Sequence, residues 1–152
     1  MINLGPYSGK NCPNVHFQPT IIDRILEGVA LLVLLAVWGS VYWLYTSSSG
    51  WVSPHIWVTG GAATFAFIIV AACAYAPVRR INFPVRVSER NIGIQYLLAI
   101  RLTRAMNVVL GLIFLSSTYM ESYALATVFY GVSFILLAIV FIVYFILAFK
   151  NK

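Results

Sequence analysis

PVRRINFPVRVSERNIGIQYLLAIRLTRAMN, residues 77–107, decides how the rest of the chain is read. It holds Arg79, Arg80, Arg86, Arg90, Arg101 and Arg104, six of the ten Lys and Arg residues in 152. Long apolar runs flank it on both sides. A charge at the centre of a bilayer costs at least about 3 kcal/mol. The basic stretch therefore stays at or outside the hydrocarbon while its flanks are free to enter it.

Composition points the same way. The chain is 61% hydrophobic and 9% charged, whereas a soluble domain is nearer half apolar and a quarter charged. Ten basic and four acidic side chains cannot clothe a soluble globule of this length. The apolar residues also come in runs rather than at a period of two or 3.6. The length is that of one domain. A net charge of +6 suits the acidic inner face of a membrane. No soluble basic module is present, so nucleic acid is not an expected partner.

Working outward, the sequence predicts an all-α membrane protein with four transmembrane helices, both termini cytoplasmic and the third helix extended into the cytoplasm. Residues 1–20 form an N-terminal segment broken by Pro6, Pro13 and Pro19, without the apolar stretch of a cleaved signal peptide. A transmembrane domain covers 21–149, with spans at about 21–45, 54–76, 105–120 and 123–149. Thr20 and Asp23 suit the start of the first helix. Trp38, Tyr42, Trp43, Tyr45, Trp51 and Trp57 form an aromatic belt at its far end. Small residues from Thr59 to Thr64 offer close approach to a neighbouring helix. Residues 77–104 are a cytoplasmic segment, extended over 81–87 by Pro84 and by alternating Ile81, Phe83, Val85 and Val87. Ser88 caps a helix of about 30 residues, roughly 45 Å long. Residues 150–152 are a short tail.

Every Lys and Arg falls at Lys10 and Arg24, in the middle segment, or at Lys150 and Lys152; the two outer turns carry none. The positive-inside rule then puts both ends and the middle segment in the cytoplasm of a bacterial inner membrane.

Candidate chemistry is sparse. His16 and His55 fall on opposite sides of the membrane, so no histidine metal or haem site is expected. Cys12 and Cys73 do not form a metal or redox pair, and Cys73 reads as a buried structural thiol. No cofactor and no enzyme activity are expected. Glu27 is the acid nearest a span. It reads either as an interfacial group three residues from Arg24, or as the proton-coupling acid of a small transporter. The arginines read either as an anchor to anionic headgroups on the cytoplasmic side, or as a docking face for a partner. That face comprises Arg79, Arg80, Arg86, Arg90, Asn91, Gln95, Arg101 and Arg104. Asn107, at membrane entry, is expected to bond another helix.

The segment Asn82-Phe83-Pro84-Val85-x-Val87-Ser88-Glu89-x-Asn91, followed by Gln95-Tyr96, Ala99, Arg101 and Arg104, carries a resemblance. It resembles an uncharacterised domain-of-unknown-function family of small bacterial membrane proteins. That family includes the N-terminal part of sporulation-delay immunity and signalling proteins. The resemblance implies the four-span topology and an immunity or signalling role. The family's outer-loop histidine–phenylalanine–asparagine motif is absent here, where the turn is TSSSGWVSP.

The expected function is a structural or interaction role. The chain would be a subunit or partner of a larger membrane complex or an immunity/signalling protein, bound to another membrane protein or to its own copy. The alternative is a small proton-coupled transporter using Glu27. A four-helix glutathione-transferring enzyme has similar size and topology, but its motif is not found in this sequence.

Overall fold

The computed structural model describes residues 18–47, 55–120 and 123–152, and of Arg79 only the backbone. The N-terminal segment up to residue 17, most of the first outer turn with Trp51, and Glu121 and Ser122 lie outside the described residues. Four helices make up the fold: α1 (Ile21–Ser47), α2 (His55–Cys73), α3 (Ile92–Tyr119) and α4 (Ala124–Lys150). All four are long and apolar enough to cross a membrane, and the described residues include no strand. The chain is a small multi-pass membrane protein.

Contacts fix the helix directions. Glu27 meets Tyr75 and Trp38 meets Thr64, so α1 and α2 are antiparallel. Gln95 reaches Ala148, so α3 and α4 are antiparallel too. Glu27 meets Arg104, and Val33 lies against Gly111, so α1 and α3 run the same way. The start of α1, the 74–91 segment and the end of α4 therefore share one end of the molecule.

Helix α3 is the centre. It packs against α1, α2 and α4, while α4 makes its main contacts with α3 alone. Much of α4 is left for lipid, with Val128, Phe129, Ile135, Ile142 and Ile146 exposed. Association within a bilayer gains nothing from hydrophobic burial against lipid, so close fit and polar ties must hold the helices together. Among the described glycines the tightest is Gly111, where an added Cβ would stand 2.7 Å from Val33 Cγ1. The small residues of α2 also work as expected: Thr59, Gly60 and Ala63 are buried. A Cβ on Gly60 would touch the Trp38 ring at 3.4 Å. Cys73 is exposed, contrary to the expected buried thiol.

At the far end the aromatic belt forms contacts between helices. Trp57 lies 6.4 Å from Trp38 and 5.5 Å from Tyr45 between ring centroids. Trp38 Nε1 donates to Thr64 Oγ1 at 2.9 Å. The opposite end has its own apolar core. Val78, Phe83, Val87, Ile92, Tyr96, Ala99, Ile100, Tyr144 and Ala148 form one cluster. Alternation in the extended stretch does what period two dictates. Phe83, Val85 and Val87 turn inward, and Asn82 and Arg86 face outward.

Helix boundaries differ from expectation at two places. α2 ends at Cys73 rather than at Ala76. Ala74, Tyr75 and Ala76 donate instead to carbonyls three residues back, tightening the exit. α3 starts at Ile92, not beside Ser88. Asn91 holds the N-cap position, but its side chain turns back to the preceding segment rather than to the helix amides: Oδ1 accepts from Ser88 N at 2.7 Å, and Nδ2 donates to Arg86 O at 3.0 Å. A short amide that bonds nearby backbone competes with the helical turn, so residues 88–91 form a turn of their own.

Candidate functional site: the polar junction of α1, α2 and α3

Polar side chains concentrate where the starts of α1 and α3 meet the end of α2. Thr20 and Asp23 begin the arrangement. Thr20 N and Oγ1 both donate to Asp23 Oδ2, at 2.9 and 2.6 Å. The acid three residues into the helix thus reaches back to the cap residue's amide, the reciprocal half of a capping box. This holds Asp23, fully buried, facing α3.

Two arginines of α3 answer it. Arg104 Nη1 lies 3.1 Å and Arg101 Nε 3.5 Å from Asp23 Oδ1. Arg101 Nη2 also donates to Thr20 Oγ1 at 3.2 Å. One turn further along α1, Glu27 Oε1 accepts from Arg104 Nε at 2.8 Å and from Tyr75 Oη at 2.8 Å. Arg104 Nη2 stands 2.7 Å from the same oxygen. The Tyr75 ring centroid is 5.8 Å from Arg104 Cζ. Two carboxylates and two guanidiniums balance, which is the condition under which a charge so far from water is tolerated. Arg104 is 2% exposed along its side chain, and Arg101 31%.

Further polar ties radiate from α3. Gln95, fully buried, donates Nε2 to the carbonyls of Ala148 at 2.9 Å and Asn151 at 3.1 Å, closing the end of α4. Tyr96 Oη donates to Ala76 O at 3.0 Å, fixing the exit of α2. Asn107 Nδ2 donates to Phe67 O on α2 at 3.4 Å, the interhelical amide bond expected for it.

The expected docking face is therefore divided. Asn91, Gln95 and Arg104 point inward, engaged with the backbone or with α1, because each lies on the side of the chain that packs. Arg101 is shared between the junction and the surface. Arg80, Arg86 and Arg90 remain exposed, and the Arg79 side chain lies outside the described residues. Glu27 is partnered by Arg104 and Tyr75 across helices rather than by Arg24 on its own helix. Asp23 and Tyr75 are members that the sequence reading did not assign to the site. The signal for Asp23 was there: acids at 23 and 27 share one face of α1, and bases at 101 and 104 share one face of α3.

Behind the junction, between α1, α2 and α3, lies a cavity of about 350 Å³. Leu26, Ala30, Phe67 and Val70 wall it, and Glu27, Arg104 and Asn107 border it. Among the described residues no group of three or more His, Cys, Asp or Glu side chains could hold a metal ion. Comparison with known proteins finds no matching family model, no matching curated protein and no matching solved structure.

Proposed function

We propose that the protein sits in a bacterial inner membrane with both termini and residues 77–104 in the cytoplasm. Its role there is structural or interactive: it docks a partner membrane protein, or a second copy of itself, through its cytoplasmic face. The immunity or signalling role implied by the resemblance is the narrower form of this reading. One observation carries it. Arg80, Arg86 and Arg90 are exposed on a segment whose other side is buried as Phe83, Val85 and Val87. The Asn91 side chain braces the same segment through Ser88 N and Arg86 O. A basic surface on an ordered support loses little conformational entropy on binding, which favours docking over loose attraction.

The test is extraction from native membranes in mild detergent, with mass measured by light scattering. The expected particle exceeds one chain, and exchanging Arg80, Arg86 and Arg90 for Gln reduces it to the single chain. A monodisperse single chain under every extraction condition would overturn the reading.

Proton-coupled transport through Glu27 draws on one observation, that Glu27 borders the cavity between α1, α2 and α3. In reconstituted vesicles that reading requires proton-coupled flux with the native chain and none with Glu27→Gln. Equal flux in both, or none in either, ends it.

A further inference from the structure

The cavity has the dimensions of a ligand site, at the small end of the range in which such sites fall. Its floor is buried, formed by Arg104 and Asn107 of α3. Its rim is exposed, with Leu31 of α1 at 48% and Tyr75 of α2 at 67%. The opening therefore lies between α1 and α2, on the lipid-facing side.

Hydrogen-bond accounting tells what is missing from it. All donors to Glu27 converge on Oε1: Arg104 through Nε and Nη2, and Tyr75 through Oη. Glu27 Oε2 accepts from none of the described residues. Asn107 is 7% exposed and spends its Nδ2 on Phe67 O; its Oδ1 likewise has no donor among the described residues. Both oxygens are acceptors with lone pairs to fill. Asn107 lies where water is scarce, so an acceptor there is costly to leave unfilled, while Glu27, 36% exposed along its side chain, stands at the opening. The cavity walls, Leu26, Ala30, Phe67 and Val70, offer no donor side chain.

Charge narrows the missing donor. Asp23 and Glu27 already balance Arg101 and Arg104. An ammonium head would bring an uncompensated cation into a poorly hydrated place, and an anionic head would meet the Glu27 carboxylate. A hydroxyl donates without changing the balance. The small volume fits one chain rather than two.

We infer that this cavity binds a single-chain neutral lipid with a hydroxyl head. The head donates to Glu27 and Asn107, and the chain runs along the apolar walls and out between α1 and α2 into the bilayer.

The probe is a monoacylglycerol carrying a photoactivatable diazirine on its chain, added to the purified full chain in phospholipid nanodiscs. Crosslinks should concentrate on residues 26–31 and 67–75. Unlabelled monoolein should compete at least tenfold better than oleate, stearylamine or a diacylglycerol. Ala71→Phe, which fills the cavity, should reduce labelling at least tenfold. Asn107→Leu, which removes one acceptor, should reduce it severalfold, with both variants read beside their thermal midpoints. Should Ala71→Phe fail to fold, Asn107→Leu decides alone. Crosslinks spread evenly over all four helices, or undiminished in a folded variant, would overturn the site. Stearylamine, oleate or diacylglycerol competing best would overturn the neutral single-chain head.

Discussion

Arg104 on α3 grips Glu27 on α1 through two nitrogens, Nε at 2.8 Å and Nη2 at 2.7 Å, on one carboxylate oxygen. Its remaining nitrogen, Nη1, faces Asp23 at 3.1 Å. Removing the guanidinium leaves the buried Asp23 with Arg101, at 3.5 Å, as its one remaining counter-charge among the described residues. Arg104→Leu should therefore destabilise the protein by about 3–5 kcal/mol. The triple variant Asp23→Asn, Glu27→Gln, Arg104→Leu should recover part of that loss, since the one charge left at the junction, Arg101, is 31% exposed. Chemical unfolding in mild detergent reads both. A cost below about 1 kcal/mol for the single variant, typical of exposed pairs, would show that the junction is not a buried pair.

Asp23 and Glu27 should not be equivalent. Asp23 is wholly buried, whereas the Glu27 side chain is 36% exposed. Water screens the second pair, so Glu27→Gln should cost much less than Asp23→Asn, on the order of 1 kcal/mol or below. The two unfolding midpoints, measured side by side, check the order.

Gln95 holds the last turn of α4. A helix leaves its final carbonyls without internal partners, and Gln95 Nε2 serves those of Ala148 and Asn151. Gln95→Leu should cost about 1–2 kcal/mol. It should also speed amide exchange in residues 147–152 while leaving the middle of α4 protected. Unchanged exchange at that end would mean the bond does not hold it.

Gly111 should tolerate no side chain while Val33 faces it. Val is stiff at χ1, so a Cβ placed 2.7 Å from its Cγ1 forces α1 and α3 apart. Gly111→Ala should cost about 1–3 kcal/mol, and Val33→Ala should return most of it in a double-mutant cycle. Gly28, with open space around it, is the control: Gly28→Ala should be neutral or slightly stabilising. Equal effects at the two glycines would remove the close contact as an explanation.

Topology has its own check. In a background lacking Cys12 and Cys73, cysteines introduced at Arg86 and Lys152 should react with an impermeant thiol reagent only after the cytoplasmic face is opened. One at Ser49 should react in intact cells. The reverse pattern would place the basic segment outside.

How far the sequence could be read is clear from particular residues. Ile81, Phe83, Val85 and Val87 alternate through 81–87, and that pattern with Pro84 read as a segment without helix, as it is; which of the four are buried was decided by the packing. Asn107 at membrane entry had few options but another helix, and it found Phe67 O. Gln95 and Asn91 were harder. Both look like surface residues of a cytoplasmic helix face, and their burial depends on where α4 ends and how the chain turns at 88–91. Glu27 beside Arg24 suggested a local pair, yet Arg104, 77 positions away, is the partner.

The sequence by itself determined that this is a membrane protein of four apolar helices. The cost of charge in hydrocarbon and the length of chain needed to cross it are local properties, legible in runs of residues. The tertiary structure alone decided which polar groups meet. It made α3 the hub, drew Asp23, Glu27 and Tyr75 to Arg104, and left a cavity bordered by Glu27 and Asn107. Those outcomes depend on helix rotation and on one close approach at Gly111, neither of which is written in the pattern of any single helix.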